Sequence, residues 1–326
     1  MPEIELKTLR LTTPFRIAHG ASSERQVLRL REGAAVGEAP FVPYYADRPE
    51  DSLAWLQGET QGEMPRPVRL ALDLLRLDQM PEPTWRVAEQ SLGPGRKWAE
   101  ILACRSFSIP TDLAAFAEQV RETARQFRVL KLKLGSGDLA HDEAIVRTAS
   151  ENAAGATLMA DVNGGWTVSQ TEELLPKLAP HLALVEQPIH HNLDIAGWQA
   201  LAAVRQRVGL PLYADESVQN AEDVQRLALY VDGVNVKLLK CASFTGAVEM
   251  IQATRQCRLG VILGCMIESS LGTTAAAHLA PWADYVDLDG HLYLADDDYV
   301  GITFDASGHL QMPEGSGIGA KPRHRV

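Results

Sequence analysis

The chain has little positive charge and no long apolar run. It carries 31 Lys and Arg against 42 Asp and Glu, which gives a formal net charge of −11, and it has no basic run of five or more residues. Because nucleic-acid binding depends on phosphate neutralisation by Lys and Arg, we expect no nucleic-acid partner. No stretch approaches the roughly 20 apolar residues of a membrane span, and the start, MPEIELKTLRL, lacks an apolar signal region. These absences predict a cytoplasmic protein without a membrane partner.

Cysteine is also scarce. The chain has four cysteines and no CxxC pair: Cys104, Cys241, Cys257 and Cys265. Three of them lie in or near apolar, strand-like segments, which is typical of free thiols in a reducing compartment. Disulfides are the less favoured alternative, and no cluster of His or Cys indicates zinc. We also interpret the pair His190-His191, which follows Pro188, as part of a loop rather than as metal ligands.

The first 100 residues differ in pattern from the rest. Residues 1 to about 45 predict strands with a turn at Glu32-Gly33, and helices are expected from Pro49 and from Pro67. Residues 80–100 are rich in Pro and Gly, so we predict a connection there. With 326 residues the chain is long enough for a barrel of about 250 residues and a smaller second domain.

From about residue 103 strands and helices alternate. The predicted strands are Cys104–Ile109, Val129–Leu134, Ala156–Asp161, Leu182–Glu186, Leu212–Ala214, Gly233–Lys237, Val261–Leu263 and Tyr285–Leu288. Eight strand-helix units with strands buried on both faces predict parallel pairing, and a closed barrel would have its active site at the strand C-termini. An open doubly wound sheet is the alternative, but Gly135-Ser136-Gly137 lacks the third Gly and the later acidic residue of its fingerprint.

Three acidic residues stand at the ends of three consecutive apolar runs. They are Asp161 in LMADVN, Glu186 in ALVEQP and Asp215 in LYADES. Parallel strands would bring these carboxylates to one face, where they either repel one another or hold a hard divalent cation. Three oxygen ligands suit Mg²⁺.

Three lysines accompany the carboxylates. Lys131 and Lys133 are two residues apart on the second predicted strand and therefore face the same way. We expect the pair and a nearby cation to lower the lysine pKa values, as a general base requires; an exposed edge strand is the alternative, which the apolar flanks disfavour. Lys237 ends the sixth strand, opposite the second in an eight-stranded barrel. Lys133 and Lys237 would then face a substrate from two sides, although a structural salt bridge would equally explain Lys237.

The last predicted strand carries Asp287 and Asp289, which also face the same way. They would suit an ammonium group, and a helix cap or surface turn is the alternative. We interpret the acidic run Asp296-Asp297-Asp298 as a solvated loop.

Seven segments, in this order, resemble the enolase superfamily and its muconate-lactonising subgroup: KLKLG, MADVNGGW, LVEQPI, ADESV, VNVKLLK, MIESSLG and VDLDG, over about residues 127–292. The resemblance implies an α/β fold: a modified TIM barrel, (β/α)7β, at residues 103–299, with an N-terminal α+β capping domain at residues 1–102 completed by the tail at about 300–326. It implies Mg²⁺ on Asp161, Glu186 and Asp215. It also implies Lys133 and Lys237 as the acid/base pair with Lys131 in support, since a lysine base with Mg²⁺ is known in this superfamily.

Within the subgroup, the acidic pair Asp287 and Asp289 and the stretch with Met266 and Glu268 resemble the dipeptide epimerases, in which the acidic pair binds the substrate ammonium. This implies an isomerase that moves the α-proton of the C-terminal residue of a dipeptide through an enolate. The early cap loop offers Arg16 and His19 as further substrate-binding residues, with Arg25 as a second arginine near by; the same stretch is where the family binds an acidic side chain.

Two other functions remain open at this point. One is an o-succinylbenzoate synthase or cycloisomerase of the same superfamily, and the other is a non-catalytic metal-binding barrel. Barrels of this family often form homo-oligomers, but the sequence itself does not fix the oligomeric state.

Overall fold

The computed structural model describes residues 2–323, and its N-terminal part is an antiparallel sheet covered by helices. Strands β1 (Glu3–Ile17), β2 (Gly20–Glu32) and β3 (Ala35–Pro40) pair in chain order. Gly33, in the turn after β2, has φ +62°, a conformation that glycine adopts without strain. The strands and the Glu32-Gly33 turn expected from the sequence are therefore present.

Helices α1 (Pro49–Leu56), α2 (Arg66–Asp78) and α3 (Trp85–Leu92) follow the sheet. Helix α2 packs closely on β3, because a Cβ added at Gly37 would lie 1.9 Å from the carbonyl oxygen of Ala71. The prediction that residues 80–100 form a connection is wrong for the part that forms helix α3. Pro81 and Pro83 precede this helix, Gly93 caps its end with φ +72° and Pro94 follows, so these residues mark its limits and do not prevent it.

The larger part is a parallel barrel that confirms the predicted α/β class. Its strands are β4 (Cys104–Phe107), β5 (Val129–Lys133), β6 (Thr157–Asp161), β7 (Leu184–Glu186), β8 (Leu212–Ala214), β9 (Gly233–Val236), β10 (Gly260–Gly264) and β11 (Tyr285–Asp287). They pair in chain order, and a parallel bridge between Ala103 and Val286 joins the first strand to the last.

Helices surround the barrel on the outside. They are α4 (Leu113–Thr123), α5 (Leu139–Asn152), α6 (Val168–Leu178), α7 (Asp194–Val208), α8 (Ala221–Leu227), α9 (Leu238–Cys241), α10 (Phe244–Gln256) and α11 (Ser270–Ala277). A short polar side chain caps the N-terminus of most of them: Asp112, Asp138, Thr167, Asn220, Ser243 and Ser269. The sequence predicted eight complete strand-helix units, but in the described chain only the first seven strands are followed by an α-helix. Strand β11 leads into a 3₁₀ turn, Gly290–Tyr293, and then the tail, so the described barrel is (β/α)7β.

The barrel interior is apolar at one end and polar at the other. The apolar layer contains Cys104, Val129, Met159, Leu184, Tyr213 and Ile262. Tyr213 fills the space that two glycines leave, since a Cβ at Gly233 or Gly260 would lie 2.0 Å from its side chain. Because side chains alternate along a strand, the inward residues two positions later form a polar layer at the strand C-termini.

The tail returns to the N-terminal part. It contains β12 (Tyr299–Val300), β13 (Thr303–Phe304), β14 (Leu310–Gln311) and β15 (Lys321–Pro322), and the Gly317 carbonyl accepts a hydrogen bond from Thr84 N at 2.9 Å. The guanidinium of Arg29 donates to both carboxylate oxygens of Asp298 at 2.6 and 2.8 Å. Asp298 is thus not part of a solvated loop, because a buried partner lies far away in the sequence.

On this layout we propose a division into two domains with the boundary between residues 102 and 103. The tail from about residue 300 belongs to the N-terminal cap.

All four cysteines are free thiols. Between residues 2 and 323 no helix is long and apolar enough to cross a membrane.

Candidate active site

The three predicted carboxylates meet at the polar end of the barrel. Asp161 and Glu186 end β6 and β7, and Asp215 directly follows β8. Each offers an oxygen that lies within 4.8 Å of the other two, and all three side chains are buried. This convergence follows from the parallel pairing, which places the ends of neighbouring strands side by side.

The donor set fits a hard divalent cation. All three groups are carboxylates, the ligands that Mg²⁺ prefers, and no nitrogen or sulfur ligand belongs to the cluster. Oε2 of Glu186 is buried and accepts no well-oriented hydrogen bond, although Lys131 Nζ lies 2.8 Å away. A buried carboxylate oxygen with incomplete pairing is a suitable metal ligand.

Lys131 joins the carboxylates of three strands. Its ammonium lies 2.7 Å from Asp287, 2.8 Å from Glu186 and 3.2 Å from Asp161. Burial alone would lower the pKa of Lys131, but these negative charges outweigh burial and hold the pKa well above its usual value. The predicted lowering is therefore wrong for Lys131, because carboxylates surround the ammonium more closely than another lysine does.

Lys133 and Lys237 face one cleft from opposite walls. They lie on or directly after the second and sixth of the eight strands, and both line the cleft. Lys133 Nζ contacts Asp161 at 2.5 Å, and Lys237 Nζ contacts Asp215 at 2.7 Å. Both interpretations of Lys237 thus apply, since it forms a salt bridge and still reaches the cleft.

Burial and neighbouring charge give the three carboxyl groups different pKa values. Burial favours the neutral acids, yet Lys133 and Lys131 hold the pKa of Asp161 below its ordinary value. Lys237 and Lys240 do the same for the pKa of Asp215. Burial and the charge of Asp161 raise the pKa of Glu186 to about 8, because Lys131 compensates only in part.

The cleft has a volume of about 870 Å³ and lies between the cap and the barrel. His19, Arg25 and Tyr44 line it from the cap, and Met266 lines it from the barrel. Arg16 does not line the cleft, whereas Phe15 and Ile17 do. Side chains alternate along β1, so Arg16 lies on the other, exposed face, and its role in substrate binding stays a prediction.

Glu268 also lies outside the cleft. Its carboxyl group is buried and accepts a 3.3 Å hydrogen bond from the backbone of Met266. Burial, followed by the nearby Glu38, raises the pKa of Glu268 to about 8. Glu268 thus supports the cleft wall at Met266 and does not contribute to the lining.

Asp287 and Asp289 both line the cleft. Asp287 is held by Lys131 and by the Ser106 hydroxyl, which donates at 2.8 Å. Within the described residues the hydrogen bonds to Asp289 all end on Oδ2, from Arg105 at 3.1 Å, Ser106 N at 2.7 Å and the Tyr293 hydroxyl at 2.7 Å. Oδ1 of Asp289 therefore accepts no hydrogen bond among the described residues.

Arg25 is a buried cation on the cap side of the cleft. It is 9% exposed, its NH1 group donates only a long 3.4 Å hydrogen bond to the Phe41 carbonyl, and its Nε has no partner in the described part of the chain. Burial lowers the pKa of Arg25, with Tyr44 opposing. A buried guanidinium with unused donors is suited to an acidic ligand group.

Sequence reasoning missed two polar residues at the triad. Lys240 Nζ donates to Asp215 Oδ1 at 2.7 Å and to the Asn235 carbonyl at 2.6 Å, and the Asn235 amide donates to Glu186 at 2.7 Å. A signal was present, because each is a polar residue inside an otherwise apolar stretch, VNV and LLKCA. Ser106 offers no such signal, since a serine in a short strand is unremarkable.

The fold and these side chains together define a capped (β/α)7β barrel with a candidate Mg²⁺ site between two lysines. The chain belongs to the enolase C-terminal domain-like family, whose model matches residues 112–326. The resemblance to the enolase superfamily that the sequence motifs indicated is thereby confirmed.

Similar proteins include several epimerases. The chain is 38% identical over 201 residues to an L-Ala-D/L-amino acid epimerase of Pedosphaera parvula, which covers 61% of this chain and 56% of that protein. It is 35% identical over 186 residues to a hydrophobic dipeptide epimerase of Roseobacter litoralis, covering 56% and 53%. The chain thus spans a little over half the length of these curated relatives.

A solved structure is similar over nearly the whole chain. It is the dipeptide epimerase from Cytophaga hutchinsonii complexed with Mg and the dipeptide D-Ala-L-Val, with a TM-score of 0.85 and 26% identity. The similarity covers 99% of this chain and 95% of that one.

Proposed function

We propose that the protein is a Mg²⁺-dependent epimerase that inverts the α-carbon of the C-terminal residue of a dipeptide. The observation that carries this proposal is the placement of Lys133 and Lys237 on opposite walls of one cleft, each beside a carboxylate of the triad. Similarity to named dipeptide epimerases supports the same reaction class.

One lysine removes the α-proton from one face of the α-carbon, and the other lysine returns a different proton to the opposite face. One amine, in its neutral form, takes the α-proton from its own side, and the opposite lysine, as ammonium, donates a proton from the other side. The configuration therefore inverts while the net number of protons stays constant. Starting from the opposite configuration, the lysines exchange roles.

Asp161, Glu186 and Asp215 would hold the metal. When bound, Mg²⁺ would attract the substrate carboxylate and stabilise the negative charge that develops beside the α-carbon. Lys131 keeps the carboxylates in place by contacting two of the three ligands and Asp287 at once.

Asp289 binds the ammonium group of the dipeptide through its unused oxygen. Asp287 adds a second negative charge at the same wall, although Lys131 and Ser106 already engage its oxygens. A substrate held by its ammonium at this wall and by its carboxylate at the triad spans the cleft, and its C-terminal α-carbon lies between the lysines.

Arg25 determines which side chain the enzyme prefers on the C-terminal residue of the dipeptide, the residue whose α-carbon is inverted. Its guanidinium lines the cap side of the cleft beside His19 and Tyr44, which stack at 4.4 Å between ring centroids. Because this cation lacks a carboxylate partner among the described residues, we assign it to an acidic side chain of the substrate. A dipeptide ending in Glu or Asp fits this arrangement best.

Deuterium exchange tests the proposal. The protein is incubated with Mg²⁺ and a library of L-dipeptides in D₂O, and mass spectrometry with NMR reports deuterium at each α-position. We expect incorporation only in the C-terminal residue, with acidic residues exchanging fastest, and loss of exchange when EDTA removes the metal. Absence of exchange in every dipeptide, or exchange in the N-terminal residue, would refute the proposal.

A further inference from the structure

A second cavity, open to solvent and of about 950 Å³ with that open space included, lies on the outside of the barrel beside its first strand. Cys104 and Ser106 point into the barrel, so Arg105 between them points outward and lines this cavity. The 3₁₀ turn after β11 and the tail form other walls. The cavity thus occupies the side of the barrel where the described chain has no eighth helix.

The lining is basic in an acidic protein. It includes Arg105, His291 and Arg323, whereas no Asp or Glu is among the described lining residues, although the whole chain has a net charge of −11. The carboxylate of Asp297 lies next to Ser270 at the cavity wall. Ser270 donates to one of its oxygens through its backbone at 2.9 Å and its hydroxyl at 2.7 Å, and Tyr299 N donates to the other at 3.0 Å.

Each of the three basic side chains has at least one nitrogen without a hydrogen-bond partner among the described residues. Arg105 makes one side-chain hydrogen bond within the described residues, to Asp289, and its guanidinium lies 4.3 Å from the ring centroid of Tyr293. Arg323 donates from Nε and NH2 to backbone carbonyls, which leaves NH1 unused in the part of the chain that the structure describes.

His291 is the most deeply buried of the three basic residues. It is 8% exposed, and its Nδ1 is buried without any hydrogen-bond partner in residues 2–323. Burial and then the charge of Arg105 lower the pKa of His291 to about 4. The imidazole is therefore neutral at pH 7, and its Nδ1 is free to form a hydrogen bond as donor or acceptor, according to its tautomer.

Much of the remaining lining is apolar, beside the polar Gln126, Ser270 and Thr303. The apolar part includes Phe127, Leu292, Val300, Ile302 and Phe304, and both Leu292 and Val300 are more than a third exposed to solvent. We propose that this cavity binds a small organic anion with an apolar group, either a phosphate monoester or a carboxylate. The guanidinium groups would hold the anionic oxygens, and the apolar wall would hold the attached group.

A ligand bound in this cavity would affect the active cleft through a single side chain, that of Arg105. The same Arg105 that lines the cavity donates to Asp289, which lines the cleft. A ligand anion would share the guanidinium with Asp289 and change the positive charge that this carboxylate experiences. Binding of the anion itself does not depend on the proposed epimerase activity.

Calorimetric titration of the full chain with phenyl phosphate and with benzoate tests the site, with benzyl alcohol as the neutral comparator. Arg323→Gln should weaken binding of the anion by about tenfold or more, since it removes one charge-assisted contact. Arg25→Gln is the matched control, because it removes the same charge from the active cleft and should leave the affinity unchanged. Binding of one anion and not the other identifies the anionic group that the site accepts.

Three results would overturn the proposal. They are no binding of either anion up to about 10 mM, equal affinity for benzyl alcohol, or a loss of affinity in Arg25→Gln but not in Arg323→Gln. Should Arg323→Gln fail to fold, a crystal structure of the unchanged protein with phenyl phosphate decides. The phosphate must then lie within hydrogen-bonding distance of Arg105 or His291, and a phosphate found only in the active cleft refutes the site.

Discussion

Replacing Lys131 by methionine removes the ammonium that contacts three buried carboxylates. The side chain is 1% exposed, and its nitrogen lies 2.7 to 3.2 Å from Asp287, Glu186 and Asp161. Removing one partner of a buried ion pair costs about 3–5 kcal/mol, because the remaining charge stays buried without compensation. One ammonium serves all three contacts, so we expect a loss of unfolding free energy in that range and not a multiple of it.

Lys133→Met is the matched control on the same strand. The Lys133 side chain is 12% exposed and contacts one carboxylate, that of Asp161. We expect it to cost about 1.5–3 kcal/mol, the range for a hydrogen bond that involves charged groups. Urea unfolding of both variants and of the unchanged protein at pH 7, in EDTA, measures the difference. If Lys131→Met lost no more stability than Lys133→Met, the carboxylates would not depend on Lys131 and the reasoning would be refuted.

Three further predictions concern single side chains. The pKa of Glu268 rises from 4.5 to about 8 on folding, so the folded protein holds this proton more tightly than the unfolded chain does. The unfolding free energy should therefore fall as the pH rises from 4.5 to about 8, by up to about 1.4 kcal/mol per pH unit. Urea unfolding at several pH values should show a smaller fall in Glu268→Gln, and an unchanged fall would contradict the assignment. Arg25→Gln should raise KM about tenfold or more for a dipeptide ending in Glu and leave KM for one ending in Leu unchanged, whereas an equal rise for both would exclude charge recognition. Asp289→Asn should weaken calorimetric binding of a dipeptide by about 10- to 100-fold, with little effect on its N-acetyl derivative; equal weakening of both would show that Asp289 does not bind the ammonium.

Local patterns were sufficient for the barrel. Most strands are short apolar runs buried on both faces, so their positions could be predicted from composition, and the polar residues at their ends marked the side of the candidate site. Residues 85–92 show the limit of this reasoning. Ala88 is buried in α3, but the surrounding Pro and Gly concealed the helix because they mark its ends.

Contacts outside the regular strand pattern could not be predicted. Asp298 looked like part of a solvated loop because its partner, Arg29, lies 269 positions away in the chain. Arg16 and Arg25 were both candidates for the cleft, and only the register of the hairpin places Arg25 inside and Arg16 outside. The second cavity depends on residues from six separate segments of the chain, none of which forms a motif.

The central claim is that Lys133 and Lys237 act on opposite faces of one α-carbon. The most direct test compares Lys133→Ala and Lys237→Ala in D₂O with a dipeptide in its L,L and L,D forms, following α-proton exchange by NMR. We predict that each variant loses exchange preferentially with one configuration, and that the two variants show opposite preferences. Exchange of both forms at the rate of the unchanged protein in both variants would contradict the account.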